Sequence, residues 1–115
     1  MTNYSFFGSA DDDFKRLRKK YRSLPNDLEL FCKITRKLEA EKGFPACNKN
    51  YAALKIADAF SIFKARIACA SLKENKLRIV YARHKETIEF IVIELYPKNE
   101  KEREDPERIA AYVNK

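Results

Sequence analysis

The chain has 115 residues, 45% hydrophobic and 36% charged, with 24 Lys and Arg against 17 Asp and Glu for a net charge of +7. That length suits one domain, residues 1–115, with a modest core and little room for a second. A single His and three Cys without a CxxC pair exclude a zinc set, and no apolar run resembles a signal peptide or reaches bilayer length. These features point to a reduced, cytoplasmic protein that calls for no metal and no cofactor.

In chain order, "NYSFF" at 3–7 reads as an edge strand ended by Gly8 and Ser9. "DDDFKRLRKKYRSL" reads as a helix, with Asp11, Asp12 and Asp13 at its positive end and cations toward its negative end. Phe14, Leu17 and Tyr21 give that helix one apolar stripe. Ser23 and Pro25 mark a restart, as cap and first-turn proline. Leu28, Phe31, Cys32, Thr35 and Leu38 then continue at helical spacing to a stop at Gly43.

"FPACNKNYAALKIADAF" at 44–60 keeps no period and reads as a long loop, with room for a helical turn. Three strands are expected next, at about 61–72, 76–84 and 87–96. They are joined by the short polar connections "KENK" and "KE", which favours antiparallel hairpins. Pro97 ends the last strand because it has no N–H for the ladder. "EDPERIAAYV" closes the chain as a short helix capped by Asp105. The expected class is α+β: two N-terminal helices on a twisted, mainly antiparallel sheet of about four strands, then the C-terminal helix.

The charge is unevenly spread. Residues 64–85 carry Lys64, Arg66, Lys73, Lys76, Arg78, Arg83 and Lys85 against Glu74 alone, a net of +6, whereas residues 98–115 carry five charges of each sign. Alternation along a strand puts Phe63, Ala65, Ile67 and Cys69 on one face and Lys64, Arg66, Ala68 and Ala70 on the other. Leu77, Ile79 and Tyr81 likewise oppose Arg78, Val80, Ala82 and His84. If the apolar sets pair, Lys64, Arg66 and Arg78 share an open face, and a slip of one residue would bury Arg78. An Arg-rich solvated face explains the spacing as well, but the one-sided sign favours a platform for phosphate, which the planar guanidinium fork fits. Nucleic acid is the commonest partner of such a surface.

Other residues carry less. His84 reads as an exposed strand-end histidine, and Glu89 and Glu94 as ion-pair partners of the strand cations. Tyr96 and Lys98 flank Pro97, where the chain turns and side chains can enter a cleft. The three cysteines read as small core residues.

The order of "DFKRLRKKYRSL", a second helix, "IFKARIACASL", "LRIVYA" and "FIVIELYPKNEKE" resembles the RelE/ParE superfamily of type II toxin–antitoxin toxins over nearly the whole chain. The resemblance implies two helices packed on a twisted antiparallel sheet. For the RelE-like branch it implies a ribosome-dependent mRNA endonuclease (an mRNA interferase) that blocks translation and growth. Carried over by position, Lys64 and Arg66 match basic residues of the family's second strand, Arg78 the Arg of its third, and Lys98 the basic residue after the fourth. Tyr96 matches a C-terminal aromatic whose position varies among members.

The implied chemistry needs no metal. The RNA 2′-OH attacks the adjacent phosphorus, the 5′-oxygen leaves, and a 2′,3′-cyclic phosphate remains. Arg66 and Arg78 suit charge stabilisation, and Tyr96 suits proton donation or stacking on a base. Lys64 or Lys98 would serve as base only where crowding by other cations lowers its pKa. The implied partners are a cognate antitoxin in a higher-order complex, the ribosome and mRNA, with no membrane. Two other readings share the fold: a ParE-like gyrase inhibitor, and a noncatalytic module that binds RNA or protein.

Overall fold

The computed structural model describes residues 4–43, 50–70, 72–84, 87 and 89–115, with the backbone alone over 72–76. Its elements are β1 (Tyr4–Phe6), α1 (Ala10–Lys20), α2 (Leu24–Lys42), β2 (Tyr51–Ile56), β3 (Phe60–Cys69), β4 (Leu72–His84), β5 (Phe90–Pro97) and α3 (Pro106–Val113). The strands form one mixed sheet in the order β1-β5-β4-β3-β2, in which only β1, parallel to β5, departs from antiparallel pairing. The fold is α+β, with three helices and five strands among the described residues.

Several expected boundaries hold for identifiable reasons. Ser23 precedes α2, although its hydroxyl binds the Asp27 side chain at 2.6 Å rather than capping the backbone. Gly43 ends α2 at φ 100°, a backbone conformation that side chains with a Cβ resist. Asp105 caps α3 through its side chain, which accepts from the Glu107 N–H at 2.9 Å.

The region read as a loop is the main departure. Residues 51–56 form β2 and pair with β3, so the sheet has five strands rather than four. Its signal is faint because β2 is an edge strand: Ala52, Ala53, Lys55 and Ile56 are exposed, and Leu54 interrupts the register between Ala53 and Lys55. The strand bounds move as well. The chain reverses between Cys69 and Leu72, before "KENK" rather than on it, and β5 starts at Phe90 rather than 87. Asn3, Cys47 with the rest of 44–49, and the "KE" connection at 85–86 lie outside the described residues.

The sheet is covered on one face and partly covered on the other. On the first, Phe14 and Leu17 of α1, Tyr21 just after it, and Leu24, Leu28, Phe31 and Cys32 of α2 pack with Phe63, Ala65, Ile67, Leu77, Ile79, Tyr81, Phe90, Val92 and Leu95. Tyr81 lies among rings, stacked with Phe63 at 5.7 Å and met edge-on by Phe31 at 5.6 Å. The other face is expected to be open, and half of it is not. There Tyr112, Ile109 and Val113 of α3 cover Ile62, Val80, Ala82 and Ile93.

Arg83, expected among the cations of the hairpin, turns to the helix side. It is 4% exposed, and its guanidinium binds the Glu39 carboxylate at 2.9 and 2.5 Å. It also donates to the carbonyls of Thr87 and Glu89, both at 3.1 Å, and lies over the Phe90 ring. Removing one member of such a pair strands a buried charge, whose cost exceeds the net worth of the pair. Arg83→Ala is therefore expected to lower stability by about 3–5 kcal/mol, measured by urea unfolding. A change below about 1 kcal/mol would show that the pair is as weak as a surface one.

Candidate functional site

Lys64, Arg66, Arg78, Tyr96 and Lys98 all line one cavity of about 240 Å³, together with Asn50, Ala52, Ala65 and Glu102. Register brings most of them together. Lys64 faces Val80, Arg66 faces Arg78, and Ala65 faces Ile79, as the pairing of the apolar sets requires. On the next strand Arg78 faces Tyr96. Arg66, Arg78 and Tyr96 thus form a row across β3, β4 and β5, on the face away from α1 and α2.

Tyr96 reaches that face through a β-bulge. Tyr81 pairs with Val92 and Val80 with Glu94, which leaves Ile93 without an opposite residue. Unbroken alternation from Phe90 and Val92 would send Glu94 and Tyr96 into the core under the helices. The extra residue inverts the parity, so Leu95 enters the core instead, and bulges commonly re-aim side chains in this way beside functional sites.

Like charges placed directly opposite each other across a ladder are destabilising. The Arg78 pKa is lowered from its ordinary value, first by burial and then by the Arg66 charge; both remain guanidinium cations. Arg66 is exposed and makes no ion pair among the described residues, and the same holds for Lys98.

Lys64 is different, because it donates to Glu104 at 2.8 Å. Glu104 is held below the usual carboxylate range, chiefly by that hydrogen bond. The neighbour of Lys64 is thus a carboxylate rather than a crowd of cations, which removes the condition for its service as a base.

Tyr96 is 2% exposed, and its hydroxyl has no hydrogen-bond partner among the described residues. Burial, with Glu104 and Glu94 nearby, pushes its pKa up to about 12 against the opposing pull of Arg78. It therefore stays a neutral phenol with a proton to donate at physiological pH.

The segment after β5 forms one wall. Glu94, 2% exposed, accepts from the Asp105 N–H at 2.8 Å and from the Lys101 ammonium. Its partner is Lys101 rather than a strand cation, and Lys101 in turn lies 5.2 Å from the Tyr96 ring centre. Glu100 binds Arg16 at 3.0 Å, which ties the same segment to α1. The carboxylates of this segment were not singled out in the sequence, because their equal count with the cations cancels.

His84 is not part of the cavity. It is half-buried rather than exposed, with its Nε2 hydrogen-bonded to the Tyr112 hydroxyl and its ring against Phe60. Among the described residues no group of His, Cys, Asp and Glu is gathered as a metal site would need, and no helix is long and apolar enough to cross a membrane. Compared with family models, curated proteins and solved structures, the chain matches none.

A buried hydroxyl without a partner costs stability, so removing it is expected to cost nothing in folding. Tyr96→Phe should unfold at the same urea concentration as wild type or a higher one, with a gain of up to about 1 kcal/mol. A loss of more than that would mean that the hydroxyl is already satisfied in the folded protein.

Proposed function

We propose that this protein is the toxin of a type II toxin–antitoxin system, a RelE-like mRNA endonuclease that acts in the cytoplasm on ribosome-bound transcripts. The observation that carries this reading is the row Arg66–Arg78–Tyr96 at the floor of a cationic cavity, with two guanidinium groups facing each other across strands. An RNA phosphate between them would relieve their repulsion, and the guanidinium fork suits its oxygens. In the transition state the phosphorus oxygens gain charge, which the same two groups, already in place, would stabilise. Tyr96 lines the cavity as a neutral phenol with its hydroxyl buried. Lys64, held by Glu104, acts as a fixed cation, and Lys98 borders the mouth. The ribosome would hold the mRNA in line for 2′-OH attack.

An antitoxin would restrain the toxin in the cell. Its acidic residues would suit the basic cavity, and its apolar ones would suit Leu30 and Ile34 on α2, which are 53% and 49% exposed. Coexpressed with the small protein of the neighbouring reading frame, the chain is expected to copurify with it at moderate salt. Separation of the two would count against the toxin–antitoxin assignment.

The direct test is induction of the chain alone, with primer extension on cellular transcripts. Growth arrest and new 5′ ends are expected. Arg78→Ala should retain the fold and lose about 100- to 1,000-fold in cleavage, the scale for removing one transition-state donor. Intact transcripts with inhibited gyrase would move the protein to the ParE-like reading, and salt-sensitive RNA binding without cleavage to the noncatalytic one. Toxicity of Arg78→Ala equal to wild type would remove the mechanism.

A further inference from the structure

The 2′-OH must lose a proton as it attacks, and the cavity is crowded with donors. Lys64 already donates to Glu104. Arg66 and Arg78 carry no acceptor, Lys98 presents an ammonium, and Tyr96 keeps its proton. Asn50, Ala52 and Ala65 supply no basic side chain. That leaves Glu102, an exposed carboxylate on the cavity wall with no ion pair among the described residues.

The carboxylates around it are otherwise engaged: Glu94 with Lys101 and the Asp105 N–H, Glu100 with Arg16 and Lys20, and Glu104 with Lys64. Glu102 lies on the segment that Glu94 and Glu100 anchor, so its backbone is held against the site while its side chain faces solvent and any bound strand.

We propose that Glu102 is the general base of the cleavage reaction, an assignment that rests on the endonuclease reading above. The Glu102 carboxylate takes the proton of the 2′-OH, and the 2′-oxygen forms its bond to phosphorus with the electron pair released. The bond from phosphorus to the 5′-oxygen breaks, and its pair stays on that oxygen, which takes a proton from a water molecule. The products are a 2′,3′-cyclic phosphate and a 5′-hydroxyl. The proton on Glu102 then passes to the hydroxide left by that water, which restores the carboxylate. Arg66 and Arg78 hold the phosphoryl oxygens throughout.

The experiment uses the full chain with ribosomes carrying a short mRNA, under single-turnover conditions. Glu102→Gln is expected to cleave about 100-fold more slowly, the lower range for a lost general base. Its affinity for a noncleavable 2′-deoxy version of the mRNA on the same ribosomes should stay within about twofold, since removing a base should leave binding almost unchanged. Formate should restore a large part of the rate to Glu102→Ala, because a small carboxylate can enter the vacated space, and should do nothing for wild type. Glu41→Gln, at the end of α2, is the control that should behave as wild type.

If wild type cleaves and Glu102→Gln keeps pace with it, the base assignment falls and the endonuclease reading stands. Slow cleavage by Glu102→Ala without rescue by formate also overturns the assignment, because it marks a structural role. If wild type does not cleave ribosome-bound mRNA, the reading falls and takes the base with it.

Discussion

Phe63, Ala65 and Ile67 must meet Tyr81, Ile79 and Leu77 under the two N-terminal helices, and that requirement fixes where every charge on β3 and β4 lies. A strand has only two faces, so once these six residues are buried their neighbours are committed to the other side. Arg66 and Arg78 then oppose each other whatever their own electrostatics prefer. A shift by one residue would place a guanidinium among Ile and Tyr side chains at a cost of several kcal/mol. Like-charge repulsion across a ladder is of order 1 kcal/mol or less. The core therefore holds two cations together more firmly than they push apart.

The face opposite the helices divides between two tasks. Near His84 it is a second core, where Tyr112, Ile62, Val80, Ala82 and Ile93 exclude water. Near Arg78 it is a cavity. The boundary follows the chain: α3 covers only the first region, and the segment before it walls the second with Glu102, while Glu104 holds Lys64. A flat cationic face would bind any polyanion loosely. A cavity lined by Arg66, Arg78 and Tyr96 with the Glu102 carboxylate on one wall presents opposite charges at separate places, which would suit positioning one phosphate rather than mere attraction of many.

Much of this was legible in the residues. The helices announced themselves through apolar stripes, the acidic first turn of α1, Pro25 and Gly43, and the register of β3 with β4 followed from matching apolar parity. All five residues singled out for the site line one cavity. What the residues did not reveal lies where a side chain's fate depends on distant chain. Strand β2 has no apolar alternation because, at the sheet edge, it buries little. Arg83 counts as one more cation in a basic run, yet its parity with Ile79 and Tyr81 puts it on the helix face, where Glu39, 44 residues earlier, is its partner. The carboxylate wall was hidden because a balanced tail looks neutral when its charges are only counted. The cover provided by α3 was also unforeseen, although the spacing of Ile109, Tyr112 and Val113 on that helix was the available hint.

The bulge that turns Tyr96 toward Arg78 depends in turn on contacts at the opposite edge of β5. Strand β1 ends at Phe6, opposite Val92, and the Phe7 N–H still reaches the Val92 carbonyl at 2.8 Å. Beyond that point the β5 edge loses its strand partner just where Ile93 bulges, and buried main-chain groups left unpaired are costly. Asp13 and Arg108 fill the gap. Asp13 accepts from the Leu95 N–H at 3.2 Å, Arg108 donates to the Ile93 carbonyl at 3.4 Å, and the two side chains bind each other at 2.5 and 3.2 Å. The first helix and the last are therefore joined across the sheet edge by the pair that also satisfies the bulged strand. Asp13 looks like an ordinary helix-start acid and Arg108 like an ordinary surface cation. Together they hold the main-chain irregularity that turns Tyr96 away from the N-terminal helices, which makes its placement a property of the whole chain rather than of β5 alone.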